Sequence, residues 1–199
     1  MVFILLVAAV YGSHLFCFLI GSIYFCEANS SYLINKNNMM KVKKLSGKVQ
    51  DAQQIPTLFD HENIMYYPIN IVNWKEYPYQ PQVSFRIAYT NDAILVHYKV
   101  VEDSVRAKYG EDNGSVWTDS CVEFFSIPAR DGVYYNLECN CIATILLAAG
   151  SERSNREMAP LEITDQVKRW ASLGRETFEE KIGECTWEVA LQIPYKVFF

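Results

Sequence analysis

An antiparallel β-sandwich is the fold that this sequence predicts, and three observations carry it. After residue 55, most runs alternate apolar and polar residues with a period of two, as strands do when one face meets a core and the other meets solvent. Turns rich in Gly, Pro, Asn and Asp separate those runs at roughly ten-residue spacing. No sustained helical period, internal repeat or low-complexity tract interrupts them after residue 40.

The first clear strand pairs Val83, Phe85, Ile87 and Tyr89 on one face with Gln82, Ser84, Arg86 and Ala88 on the other. Thr90-Asn91-Asp92 then supplies a turn, since Asn and Asp tolerate left-handed backbone and bond their own main chain. Ile94, Val96, Tyr98 and Val100 resume the alternation, so the two runs form a hairpin. A polar connection, Asp103 to Ser115, leads to a strand over Cys121–Ile127 that Pro128 ends. Asp131-Gly132 turns the chain into Val133–Cys141, and a further run over Ile142–Ala149 closes at Gly150. Ser151 to Pro160 is a charged surface loop by composition. Trp187, Val189, Leu191 and Ile193 alternate with Thr186, Glu188, Ala190 and Gln192 in the cleanest strand of the chain, which Pro194 stops.

The chain has 199 residues, half of them apolar and 14% aromatic, which excludes global disorder and leaves room for one ordinary domain. Eighteen Lys and Arg against 23 Asp and Glu give a net charge of −5, the wrong sign for an electrostatic grip on nucleic acid. Residues 1–38 are a hydrophobic leader, uncharged from Met1 to Cys26, and three readings compete for it. It is a signal or anchor segment, an extension upstream of a start at Met39 or Met40, or a buried core helix. Lys36, Lys41, Lys43 and Lys44 follow the apolar stretch, an arrangement that would hold the bulk of an anchored protein in the cytoplasm. A cleaved signal would place the protein outside the cytoplasm, and a start at Met39 or Met40 within it. The domain proper is expected over residues 39–199.

Chemistry-bearing motifs are sparse. There is no phosphate-cradling glycine loop and no recognisable nucleophile context for His61 or His97. His97 points away from Val96 and Tyr98 and reads as a surface residue or one that supports a neighbour. Cys121, Cys139, Cys141 and His97 form a weak zinc candidate, because Cys-x-Cys on a strand is not the usual knuckle spacing. Six cysteines in a chain this rich in apolar residues do not read as a disulfide framework. No metal ligand set or cofactor is therefore expected. Asp119, Glu123 and Glu138 fall near aromatic residues and invite a paired-carboxylate reading. Trp117, in a loop just before a strand, has the placement to present a flat face to a sugar ring, with Glu123 accepting hydroxyl hydrogen bonds; the bland alternative is a Trp capping the core and a Glu paired across the sheet.

The run Val116-Trp117-Thr118-Asp119-Ser120-Cys121-Val122-Glu123-Phe124-Phe125, with Tyr134 to Thr144 and Trp187-Glu188-Val189-Ala190-Leu191-Gln192-Ile193-Pro194, resembles the family 9 carbohydrate-binding modules, in their stand-alone Bacteroidetes-type branch. The resemblance spans about residues 50 to 199 and implies an immunoglobulin-like or jelly-roll-like sandwich of the DOMON type, missing its last strands at the C-terminal end. It also implies binding of a terminal sugar of a plant-type polysaccharide such as xylan, without cleavage, in support of polysaccharide breakdown. Carried over by motif, Trp117 resembles the first Trp of the family's sugar clamp and Glu123 its hydroxyl-binding carboxylate. Asn136, Glu138 and Asn140 lie where the family places further polar contacts. The clamp's second Trp has no match: Trp187 reads as core, and Trp170 as either. Calcium is structural in some members, and Glu111, Asp112 and Asn113 only suggest a place for it.

Two rivals stay open. A small glycoside hydrolase would use Glu123 and Glu138 as its carboxylate pair, and related modules do occur inside xylanases. A haem- or redox-binding DOMON-type domain would want a Met and His pair, for which Met65 and His97 are the candidates.

Overall fold

The computed structural model describes residues 3–10, 23–24, 42–70, 79–129 and 131–198. Its elements in chain order are strands β1 (Phe3–Val10), β2 (Ile23–Tyr24) and β3 (Lys43–Lys44), helix α1 (Ile55–His61), then β4 (Tyr67–Ile69), β5 (Gln82–Tyr89) and β6 (Ala93–Ala107). They continue with β7 (Cys121–Ile127), β8 (Tyr134–Asn140), β9 (Ile145–Gly150), β10 (Glu157–Met158), the one-turn helix α2 (Leu161–Thr164), β11 (Lys168–Ala171) and β12 (Phe178–Pro194). Two sheets form, in the orders β10-β9-β8-β7-β1-β2 and β11-β12-β6-β5-β3, with β4 added against β5. All pairings are antiparallel except β3 with β5, so the all-β sandwich expectation holds.

The core lies between the sheets. Phe85, Ile87, Val96, Tyr98, Trp187, Val189 and Leu191 from one sheet meet Val122, Phe124, Leu137, Ile145 and Leu147 from the other. For β5, β6 and the second half of β12 these are the residues that the period-two alternation assigns to one face, and Trp187 takes the core role expected of it. The Tyr98 hydroxyl crosses between the sheets and donates to the carbonyl of Glu123 at 3.1 Å. Beyond Pro194, Val197 is buried and the Phe198 ring meets Tyr135 edge-on at 5.1 Å.

The structure corrects several expectations. A helix does occur after residue 40: α1 spans seven residues, with Pro56 in its first turn, and is too short to show a sustained period. It covers the outer face of the second sheet, where Ile55 and Phe59 pack with Leu45, Val49, Ala52, Ala88, Leu95 and Ala190 as a second core. His97 is consequently fully buried rather than on the surface. The polar segment after Asp103 is not all loop, because β6 continues through Ala107 and pairs with the first half of β12. The β5–β6 turn uses no left-handed Asn or Asp: the Thr90 hydroxyl donates to the Asp92 carboxylate and accepts from Ala93 N–H. In the leader, Phe3–Val10 is a strand beside β7 and not a helix; the rest of residues 1–38, apart from Ile23–Tyr24, lies outside the described residues. Among the described residues no helix is long and apolar enough to cross a membrane.

Candidate functional site

Alternation along β7 and β8 sends Val122, Phe124, Leu137 and Cys139 into the core and leaves Cys121, Glu123, Phe125, Asn136, Glu138 and Asn140 on the outer face. The register places Glu123 directly opposite Glu138, and Phe125 opposite Asn136. Three of the predicted residues therefore meet: Glu123, Asn136 and Glu138 form one patch, each 2–3% exposed. Asn136 Nδ2 donates to Glu138 Oε1 at 2.8 Å, and Arg156 Nη1 stands 3.9 Å from the same oxygen. Glu123 Oε1, Asn136 Oδ1, Glu138 Oε2 and Arg156 Nε have no hydrogen-bond partner among the described residues.

Two carboxyls side by side in an apolar setting cannot both ionise easily. Burial pushes the Glu123 carboxyl well above its ordinary range, and the Glu138 charge pushes it further; Arg156 and Arg153 oppose both. Burial raises Glu138 as well, but Arg156 and the Asn136 amide favour its charged form. Arg153 and Arg156 come from the loop after β9, which folds back tightly at Gly150. A Cβ on Gly150 would sit 2.5 Å from the Asn155 carbonyl oxygen and 2.9 Å from Arg156 Cα, so only glycine fits there.

Trp117 lies on a 3-10 turn, Val116–Thr118, that runs into β7 and packs against β8; the residue is half-buried. Buried Asp119 holds this turn in place. Its carboxylate accepts the backbone N–H groups of Lys108 and Tyr109, both at 3.0 Å, and the Asn140 amide at 3.1 Å, with Arg106 Nε at 3.4 Å. Arg106 also donates to the Thr118 carbonyl. Asp119 thus shapes the loop and stands apart from the Glu123 patch.

Asn140 likewise does structural work. Its amide nitrogen donates to the Tyr109 carbonyl and to Asp119, and its oxygen accepts from Ile142 N–H and Thr144 N–H. Those bonds close the β8–β9 turn, where Ala143 takes a left-handed backbone at φ 58°. Sequence spacing groups Asn140 with Asn136 and Glu138; the turn that consumes its hydrogen bonds leaves no pattern in the chain.

The other candidate chemistries disperse. Both ring nitrogens of His97 are engaged, by Arg86 and Glu188, and Met65 is 69% exposed, so the two do not form a ligand pair. Cys139 and Cys141 lie in the core, where burial pushes Cys139 up to about 12 and Cys141 higher still, and His97 is on the far side of the other sheet. Among the described residues no three His, Cys, Asp or Glu side chains gather as a metal set. Asp112 accepts from Ile145 N–H and from Arg169 at 2.6 Å, while Asn113 bonds the backbone of Leu147 and Ala159. A hollow of about 480 Å³ opens on the second sheet among Pro68, Gln82, Ser84, Lys99 and Val101, and its lining includes none of Trp117, Glu123, Asn136, Glu138 and Asn140. Sequence reasoning missed Arg153 and Arg156, whose loop gave only a charged composition and no sign that it folds back over β9.

Comparison with known proteins agrees with the sandwich. The family described as carbohydrate-binding family 9 matches residues 53–199. A crystal structure from Bacteroides uniformis ATCC 8492, described as "a putative carbohydrate-binding protein", is similar at 49% identity with a TM-score of 0.77, covering 79% of this chain and 73% of that one. No curated protein matches the chain significantly. With the family matched across most of its length and the sandwich in place, the chain belongs to carbohydrate-binding family 9.

Proposed function

We propose that this protein binds the terminal sugar of a polysaccharide or oligosaccharide without cleaving it, and that it does so in support of polysaccharide breakdown. Trp117 stacks on the sugar ring, while Glu123, Asn136 and Glu138 take its hydroxyls. The observation that supports this reading most is a group of polar atoms at one sheet face without partners among the described residues: Glu123 Oε1, Asn136 Oδ1 and Glu138 Oε2, with Arg156 Nε from the adjoining loop. A buried polar atom without a partner costs about 1–3 kcal/mol, and a polyhydroxylated ligand supplies partners for all four. Because these side chains are nearly shielded from solvent, saccharide entry must uncover them. Glu123 and Glu138 project side by side from neighbouring strands, an arrangement that suits a row of hydroxyls better than attack on a bond from two sides.

The test is titration with cello-, xylo- and manno-oligosaccharides followed by Trp fluorescence. Trp117→Ala should weaken binding at least tenfold. Unchanged affinity in that variant would remove Trp117 from the site, and release of reducing sugar would replace binding with hydrolysis.

A further inference from the structure

Glu123 and Glu138 are equivalent in type, burial and register, yet their neighbours are not. Glu138 Oε1 accepts from Asn136 Nδ2 and faces Arg156, whereas Glu123 Oε1 has no donor among the described residues. The remaining groups on that face do not restore the balance. Cys121 on β7 is a neutral thiol pushed far up by burial, and Leu146 lies opposite Glu138 on β9. Phe3–Val10 on β1, which pairs with β7 at Glu123, contains no titratable residue. Arg153 joins Arg156 from the loop after β9 and acts on both carboxyls. The Tyr98 hydroxyl, from the core side, is spent on the Glu123 carbonyl.

From this one-sided arrangement we infer that Glu123 is held as the neutral acid, presenting an O–H donor on the binding face, while Glu138 is the ionised acceptor beside it. The inference rests on the proposed function, because it gives that site its protonation state. A buried carboxyl whose Oε1 has no donor among the described residues stays protonated when the adjacent carboxyl accepts an amide hydrogen bond, has an arginine 3.9 Å away and takes the charge. Neighbouring charges point the same way: the Glu138 charge raises Glu123, while Arg156 and the Asn136 amide favour the charged form of Glu138.

The consequence is a face that reads direction as well as position. The neutral acid at Glu123 donates to a sugar oxygen, and the carboxylate at Glu138 accepts from a sugar hydroxyl, so adjacent oxygens on the ligand must accept and donate in that order. Saccharide binding then requires the proton on Glu123. Above the pair's upper titration, affinity falls by up to tenfold per pH unit, as for one linked proton.

Two measurements on the full chain test this. Side-chain carboxyl carbon NMR of the sugar-free protein at pH 7 should show, besides Glu102 in mid-titration, one glutamic acid still neutral, with its signal lost in Glu123→Gln and kept in Glu102→Gln. Titration with cellotetraose, xylotetraose and mannotetraose from about pH 6 to pH 10 should show wild-type affinity falling with pH. Glu123→Gln, which keeps an N–H donor at any pH, should lose that slope and bind more tightly than wild type at the alkaline end. The inference is overturned if no glutamic acid besides Glu102 is neutral at pH 7, or if wild-type affinity is flat or rises with pH. If NMR finds the neutral acid but none of the three sugars binds at any pH, the protonation state stands and the carbohydrate reading of this face fails.

Discussion

Arg86 decides which nitrogen of His97 carries the proton. Its Nε and Nη2 approach His97 Nδ1 at 3.2 and 2.9 Å, so Nδ1 accepts and Nε2 donates to Glu188 Oε2 at 2.9 Å. The guanidinium is itself buried, reaches Asp60 and the Pro56 carbonyl on α1, and lies 4.3 Å from the Tyr66 ring centroid. The helix is thus fixed to the sheet by polar contacts as well as by Ile55 and Phe59.

Acid should loosen this contact. Burial lowers the His97 pKa to about 4 and Arg86 adds to the effect, against the pull of Glu188. The unfolded chain takes its proton near pH 6.5, so the contribution is complete above that pH and is lost as pH falls through about 4. The difference amounts to at most about 3 kcal/mol. Urea unfolding at pH 7 and pH 4.5 should show a smaller acid loss in His97→Gln than in wild type, and equal losses would assign the acid sensitivity elsewhere.

Glu102 should act in the opposite direction. Burial raises its carboxyl to about 7, although Ser120 and Trp187 favour the ionised form, and the Trp187 indole N–H donates to it. The folded state therefore holds a proton that the unfolded chain releases near pH 4.5. Stability present below pH 4.5 is lost as pH rises through about 7, by up to about 3 kcal/mol. Glu102→Gln keeps an acceptor for Trp187 and cannot ionise, so its Tm should exceed wild type at pH 8 and not at pH 5.

Removing the Asp119 carboxylate should damage the turn that carries Trp117. Asp119→Ala strands the N–H groups of Lys108 and Tyr109 and one proton of the Asn140 amide, each a buried or half-buried donor. The expected cost is about 3 kcal/mol or more by chemical denaturation, with a red shift in Trp emission.

Gly150→Ala tests the folded-back loop. The added methyl collides with the backbone of Asn155 and Arg156, so Arg156 should move away from Glu138. Stability should fall by about 1–3 kcal/mol, and affinity for any saccharide that binds should fall several-fold. An unaltered affinity would exclude Arg156 from the site.

Strand alternation made much of this architecture legible in the chain. β5, β7, β8 and the second half of β12 follow it, because each has the sandwich core on one face. It misled at His97, since the alternate face of β6 meets α1 and not water. It was silent for the first half of β12, Phe178 to Cys185, whose polar residues pair with the far end of β6 around two irregularities in register. At the site, the sequence put Glu123 and Glu138 forward as a carboxylate pair, and the strand register then set them directly opposite each other. The roles of Asn140 and Asp119 depend on loop hydrogen bonds that have no period to read.

The position of β12 also bears on how the protein is made. This late strand sits between β11 and β6 within its sheet, and His97 meets Glu188 across 91 residues of chain. During synthesis, the β5–β6 hairpin must wait with one hydrogen-bonding edge open until Glu188, 91 residues after His97, and the rest of β12 have been joined. Long-range closure of this kind slows folding, and an open edge recruits other chains. Yield in a producing cell should therefore depend on temperature and chaperone supply more than the stability of the finished sandwich suggests.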